Sequence, residues 1–279
     1  TRFCPIIIYS AHPEAFAAGE WQEHPFVRLV PKGMDSEKAV EAVVKEYEVH
    51  VRTLKASEEE VRTIYAAVLR DVAPYAFKEI KEMEPQRDIV KRLGRRRLAA
   101  RMDDVQLMQG IESWEMYICP PISSRPKTGD ILQIAGAPPA DPASFRMVLT
   151  PSCDMARDGQ PRQEKALLCS CIGCTEALSA ANVSMKQESI VKLLTAGHQK
   201  GILPLPALAG RIPHMMADLK RLEVVNVRDI GAEGTRLLRV ASIDSPFREL
   251  VSWAYQSTAC RPGLPERNFA SWAPALVTP

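Results

Sequence analysis

Residues 148–174 read VLTPSCDMARDGQPRQEKALLCSCIGC, and they decide whether the C-terminal half of the chain is stapled by a metal or packed as an ordinary core. Four of the seven cysteines stand here, Cys153, Cys169, Cys171 and Cys174, in the spacing C-x15-C-x-C-x2-C. Each cluster ends an apolar run, Met147-Val148-Leu149 before Cys153 and Ala166-Leu167-Leu168 before Cys169. Two strands are therefore expected to finish at one site, with a polar, turn-rich loop between them. Thiolates from a turn and from a neighbouring strand can close a tetrahedral shell, and zinc is the first metal expected. The spacing does not offer Cys169, Cys171 and Cys174 equally to one ion, so one of Cys169 and Cys171 is expected to stand aside, with His214 or His198 in its place. A shell filled by protein ligands makes the zinc structural. The same cysteines also read as buried thiols, since free cysteine packs as a small hydrophobe, or as a redox pair in Cys171-Ile172-Gly173-Cys174.

At 279 residues and 46% apolar composition the chain has room for two domains with sizeable cores. With 36 basic against 34 acidic residues, a net charge of +2 gives no global attraction to nucleic acid or membrane. No run of 18 apolar residues is present, and Cys4-Pro5-Ile6-Ile7-Ile8 lacks the features of an export signal. An odd cysteine count without such a signal points to a reducing interior.

In the N-terminal part, Pro5 to Ser10 and Phe26 to Gly33 are continuous apolar runs of the kind buried on both faces of a parallel sheet. A helix-length segment, Pro13 to Glu23, separates them, and Asp35 to Lys55 follows with Val40, Val43, Val44 and Tyr47 on one face. The order strand, helix, strand, helix implies a right-handed parallel unit. A fresh helix start is expected at Ser57, with Glu58, Glu59 and Glu60 in its first turn. Lys91 to Arg101 holds six basic residues, among them Arg92, Arg95, Arg96 and Arg97, a candidate phosphate or nucleic-acid face. Apolar residues interleave with them and Asp88, Asp103 and Asp104 flank them, so a solvated or partner-facing helix is the preferred reading. After Ile111 short strands alternate with Pro- and Gly-bearing breaks, which suggests a small barrel.

Three resemblances follow from particular phrases. PIIIYSA ending at Ser10–Ala11, with VRLVPKG carrying Lys32, resembles the last two strands of a response-regulator receiver domain. The resemblance implies that Ser10 and Lys32 form the switch pair beside a phosphoacceptor pocket, with the remaining strands supplied from ahead of Thr1 or by another chain. RPKTGDIL followed by RMVLTPS resembles the SH3-like barrel of the MazF and PemK toxin ribonucleases. VLTPSCDMA and SIDSPFRELVSWAY are similar to phrases in bacterial response-regulator-like proteins that accompany Hsp90-like or histidine-kinase-like ATPases, some in phage defence.

The expected fold class is α/β plus α+β. An incomplete receiver-like parallel sheet spans 1–55, a helical connector 56–110, and a small Cys-rich, SH3-like β-barrel with the metal site 111–279. The expected function is signalling and interaction in the bacterial cytoplasm, the receiver-like module controlling a zinc-stapled output domain through a partner ATPase. A DNA-binding regulator and a MazF-like nuclease are the alternatives; for the nuclease, Asp154 and His214 are the candidate acid–base groups.

Overall fold

The computed structural model describes residues 5–16, 24–33, 35–106, 110–155, 163–231, 234–260, 270 and 274. They belong to two compact units, Thr1–Gly110 and Ile111–Pro279.

In the first unit, β1 (Ile6–Ser10) and β2 (Val27–Pro31) pair in parallel, in register from Ile6 opposite Val27 to Ser10 opposite Pro31. The chain then enters α1 (Ser36–Asp71), 36 residues and roughly 54 Å at 1.5 Å per residue. Early in α1, Tyr47 is buried against the Phe26 ring, centroids 6.2 Å apart. Farther along, Ile64 and Val68 are buried where α1 meets α2 (Ala73–Glu79) and α3 (Met83–Gln106). Gly94 of α3 is buried against Tyr65, close enough that a methyl group there would overlap the ring.

Between these anchorages, residues 52–63 of α1 are exposed on every side. The boundary expected at 55 and the fresh start at Ser57 fall inside this unbroken helix. The acids that suggested a first turn have other partners: Glu59 pairs with Arg62 at 3.4 Å and Glu60 with Arg101 of α3 at 2.9 Å.

The second unit is organised on a sheet of eight strands among the described residues. These are β3 (Tyr117–Ile118), β4 (Asp130–Ile134), β5 (Phe145–Val148), β6 (Lys165–Ile172), β7 (Ile202–Leu205), β8 (Met215–Asn226), β9 (Ile230–Gly231) and β10 (Leu237–Ile243). The order is β3-β10-β4-β5-β6-β8-β7, antiparallel throughout, with β9 added in parallel to β10. Among the described residues, the helices α4 (Ser152–Met155), α5 (Cys174–Ala180), α6 (Gln187–Ala196) and α7 (Phe247–Ala259) accompany it.

The SH3-like barrel expected from the sequence does not form. β3 and β7 end an open path and do not pair with each other. The physical reason is visible along β6, whose two faces are both buried. Cys169 and Cys171 face a core shared with Phe145, Met147, Leu219 and Val251 of α7. Ala166 and Leu168 face a second core with Leu132, Val148 and Leu237, and Ile172 joins a third under α5 and α6. A small barrel has one interior; this strand separates two, as in a sheet with cover on both sides.

Candidate functional site

The metal site that accompanied the barrel is likewise corrected. Among the described residues, no group of three or more His, Cys, Asp and Glu side chains is placed to hold a metal ion. Strand direction explains why. β5 and β6 are antiparallel, with Val148 opposite Leu168, so the chain passes Cys153 at one end of β6 and returns along that strand to Cys174 at the other. Eight residues of strand, roughly 25 Å, separate those ends. Cys153 is exposed in α4, with its thiol 3.9 Å from Asp154 Oδ1. Cys174 is the first residue of α5 and packs against the third core. His214 precedes β8 at the Cys174 end, exposed, with Nδ1 accepting a hydrogen bond from Ala207 N at 3.2 Å. Asp154 and His214, the acid–base candidates of the nuclease reading, are divided in the same way.

Cys169 and Cys171 are two residues apart on a strand and so share a face. That face is core, where they are 0% and 1% exposed. Burial pushes the Cys171 thiol up to about 12, against a partial lowering by the Arg146 guanidinium. Cys169 is driven well above the ordinary thiol range, first by burial and then by Cys171 and Asp218. Both are neutral thiols at physiological pH. Their chemistry is packing.

A polar centre that the sequence did not announce lies at the start of β4. Asp130 is fully buried; Oδ1 accepts from Ser242 Oγ at 2.6 Å, and Oδ2 accepts from Arg239 Nε at 2.7 Å and Lys127 N at 2.8 Å. Arg239 Nη1 donates to Ser123 O at 2.6 Å. Beside it, Thr128 Oγ1 donates to Thr150 O at 2.8 Å and Thr128 N to Ser152 Oγ at 3.0 Å. These bonds weld the Thr128-Gly129-Asp130 turn to β10 and to the segment after β5. The Thr128 and Ser152 hydroxyls serve backbone groups, while the Ser242 hydroxyl and the Arg239 guanidinium hold the Asp130 carboxylate inside the core, so the arrangement is structural.

In the first unit, the parallel register brings Ser10 and Lys32 together through the backbone, with Lys32 N donating to Ser10 O at 2.8 Å. Their side chains diverge. Lys32 Nζ lies 5.2 Å from the centre of the Tyr9 ring, and Tyr9 alternates with Ser10 across the strand. Ser10 Oγ accepts from His12 N at 3.0 Å. On α3, Arg97 reaches Asp71 at 3.8 Å, and Arg101 reaches Glu60. Arg92, Arg95 and Arg96 are exposed and form no ion pair among the described residues.

His198 stands in the second unit, edge-on to Trp253 with ring centroids 4.5 Å apart. Burial lowers its pKa. It borders a cavity with Lys200 and Lys220, residues to which composition and spacing drew no attention. The available signal was the dipeptide Lys200-Gly201 where a tight hairpin ordinarily has Asn-Gly. No helix among the described residues is long and apolar enough to cross a membrane. In comparisons with known proteins, the chain matches no family model and no curated sequence.

Proposed function

We propose that the chain is a bacterial signalling and interaction protein, acting in the cytoplasm, whose first unit belongs to a receiver-like sheet and whose second is the output that a partner ATPase controls. The observation that supports it is the state of β1 and β2. Parallel strands this rich in Ile and Val are ordinarily covered on both faces and flanked by neighbours. Here Val30 is the buried residue of the ten, while Ile6 is 53% and Tyr9 48% exposed. Two strands do not make an independently stable sheet, and an unpaired strand edge is a template for another strand. Such a surface suits addition of further strands and docking of a partner. The resemblance to proteins that accompany Hsp90-like and histidine-kinase-like ATPases, in two-component-like and phage-defence settings, names the partner class. The output unit in this reading is held by its three cores.

The test is size-exclusion light scattering of the chain mixed with such an ATPase from the same genome. A complex that Ile6→Lys weakens supports the reading; no complex with any of them removes it. A second reading, a DNA-binding regulator, draws on the guanidinium groups of Arg92, Arg95 and Arg96, which form no ion pair among the described residues. Three phosphate contacts would give duplex binding a salt slope of about −3 on logarithmic axes, lost on charge reversal at these positions.

A further inference from the structure

Where the C-terminal ends of α5 and α7 approach the turn before β7, the second unit holds a cavity of about 600 Å³. The turn is unusual in its chemistry. Gln199 and Ile202 exchange both backbone hydrogen bonds at 3.0 Å, leaving Lys200 and Gly201 as the central pair of a two-residue hairpin. Their φ values are 51° and 89°. Positive φ at both central positions favours Asn-Gly, and a lysine in the left-handed region is disfavoured by its Cβ. Asn182, on the same cavity wall, is the other non-glycine residue at positive φ among the described residues, with φ 48°. Lys200 Nζ donates to Asn182 O at 2.8 Å, which couples the two strained positions.

Gly201 serves a second purpose. A Cβ there would come within 2.7 Å of Lys220 Cε, so the missing side chain lets the stem of Lys220 lie over the turn. Two lysines thereby border one cavity, and no carboxylate lines it among the described residues. Asp218, the nearest acid along β8, accepts from Lys220 N and pairs with Arg221 at 3.2 Å. Ser257 and Thr258, also on the wall, donate their hydroxyl protons to Ala254 O. The cationic donors at the cavity are therefore the two ammonium groups.

We propose that this cavity binds a phosphate-bearing small molecule, with Lys200 and Lys220 as its cationic contacts. Two ammonium groups match the charge of a phosphate monoester, between about −1.5 and −2 at neutral pH. Lysine holds phosphate as a point charge without the bidentate geometry arginine would impose. The volume leaves space for an organic portion beyond the phosphate, within the range of about 300–1,000 Å³ usual for ligand sites. Residual strain at Lys200 and Asn182 fits a site where backbone conformation serves binding at some loss of stability.

Calorimetric titration of the full chain with inorganic phosphate, glucose 6-phosphate and citrate tests this. Both phosphate compounds should bind saturably, one per chain, and more tightly than citrate. Lys220→Gln should weaken them about tenfold or more. Lys200→Asn should weaken them comparably while raising the melting temperature, because asparagine suits the turn. No saturable binding of either phosphate compound up to about 10 mM, or binding indifferent to Lys220→Gln, overturns the proposal. Citrate binding as tightly as glucose 6-phosphate overturns the phosphate assignment. A Lys200→Asn variant that melts lower and binds normally makes Lys200 a staple for the Asn182 carbonyl and removes it from the site.

Discussion

Arg239 Nε donates to Asp130 Oδ2 across 2.7 Å, with the arginine side chain 7% exposed and the aspartate 0%. Removing either partner leaves the other charge buried, which typically costs about 3–5 kcal/mol. Asp130→Asn and Arg239→Met should each lower the unfolding free energy obtained from urea titration by that order. The double variant should lose clearly less than the sum, because neither leaves a lone charge. Strict additivity in the double-mutant cycle would mean the two do not act as a pair.

Gly94 offers a test of the α1–α3 contact with an unusual sign. Glycine to alanine inside a helix ordinarily stabilises by up to about 1 kcal/mol. At Gly94 the added carbon would stand 2.7 Å from Tyr65 Cζ. Gly94→Ala should therefore destabilise, by about 1–3 kcal/mol as for an overpacked core. Tyr65→Leu in the same chain should recover most of it. A Gly94→Ala variant that melts higher than the parent would show that the helices do not meet here.

Alkaline pH should unfold the second unit through its buried thiols. In the unfolded chain Cys171 ionises near 9.0, and in the folded protein near about 12. Between those values the unfolded state binds fewer protons than the folded one, so stability falls as pH rises. The slope is about 1.4 kcal/mol per pH unit for one thiol, and it is absent below the unfolded pKa. Cys169, also raised, acts in the same direction. Urea titrations from pH 8 upward should show a shallower decline for Cys171→Ala. An unchanged slope in that variant would exclude Cys171 as a source.

Cys153 and Cys174 should behave as strangers. Lying at opposite ends of β6, Cys153→Ser and Cys174→Ser should add within about 0.5 kcal/mol. A chelator should not shift the melting of the parent. Thiol labelling of the native protein should reach exposed Cys153 and Cys260 first, and Cys169 and Cys171 on unfolding. Coupled serine variants with a chelator-sensitive transition would restore a shared ion.

The parallel pairing of β1 with β2 was legible because continuous Ile/Val runs separated by a crossover-length segment have few other solutions. The packing of the cysteines was not. Spacing along a chain reports distance only when strand direction is known, and the apolar runs that end before Cys153 and before Cys169 do not show which way their strands point. The antiparallel return of β6 sends Cys153 and Cys174 apart. The barrel expectation failed for a related reason: along β6 Ala166, Leu168 and Ile172 are buried as well as Cys169 and Cys171, residues of both parities, and apolar content alone does not reveal how many cores a strand divides. Lys200 and Lys220 escaped notice because nothing in the sequence joins a hairpin turn to the middle of β8.

The all-round exposure of residues 52–63 in α1 has a mechanical meaning. Over three turns the helix is held by its own backbone bonds and surface ion pairs, such as Arg62 with Glu59, and such pairs contribute at most about 1 kcal/mol each. Opening there exposes no core, so this midsection should exchange its amide hydrogens before the turns anchored by Tyr47 and by Val68. While its backbone bonds hold, the stretch is a rigid link between the Tyr47 and Val68 anchorages; one local melting event would uncouple them, which makes this bare segment of helix a clutch within the first unit.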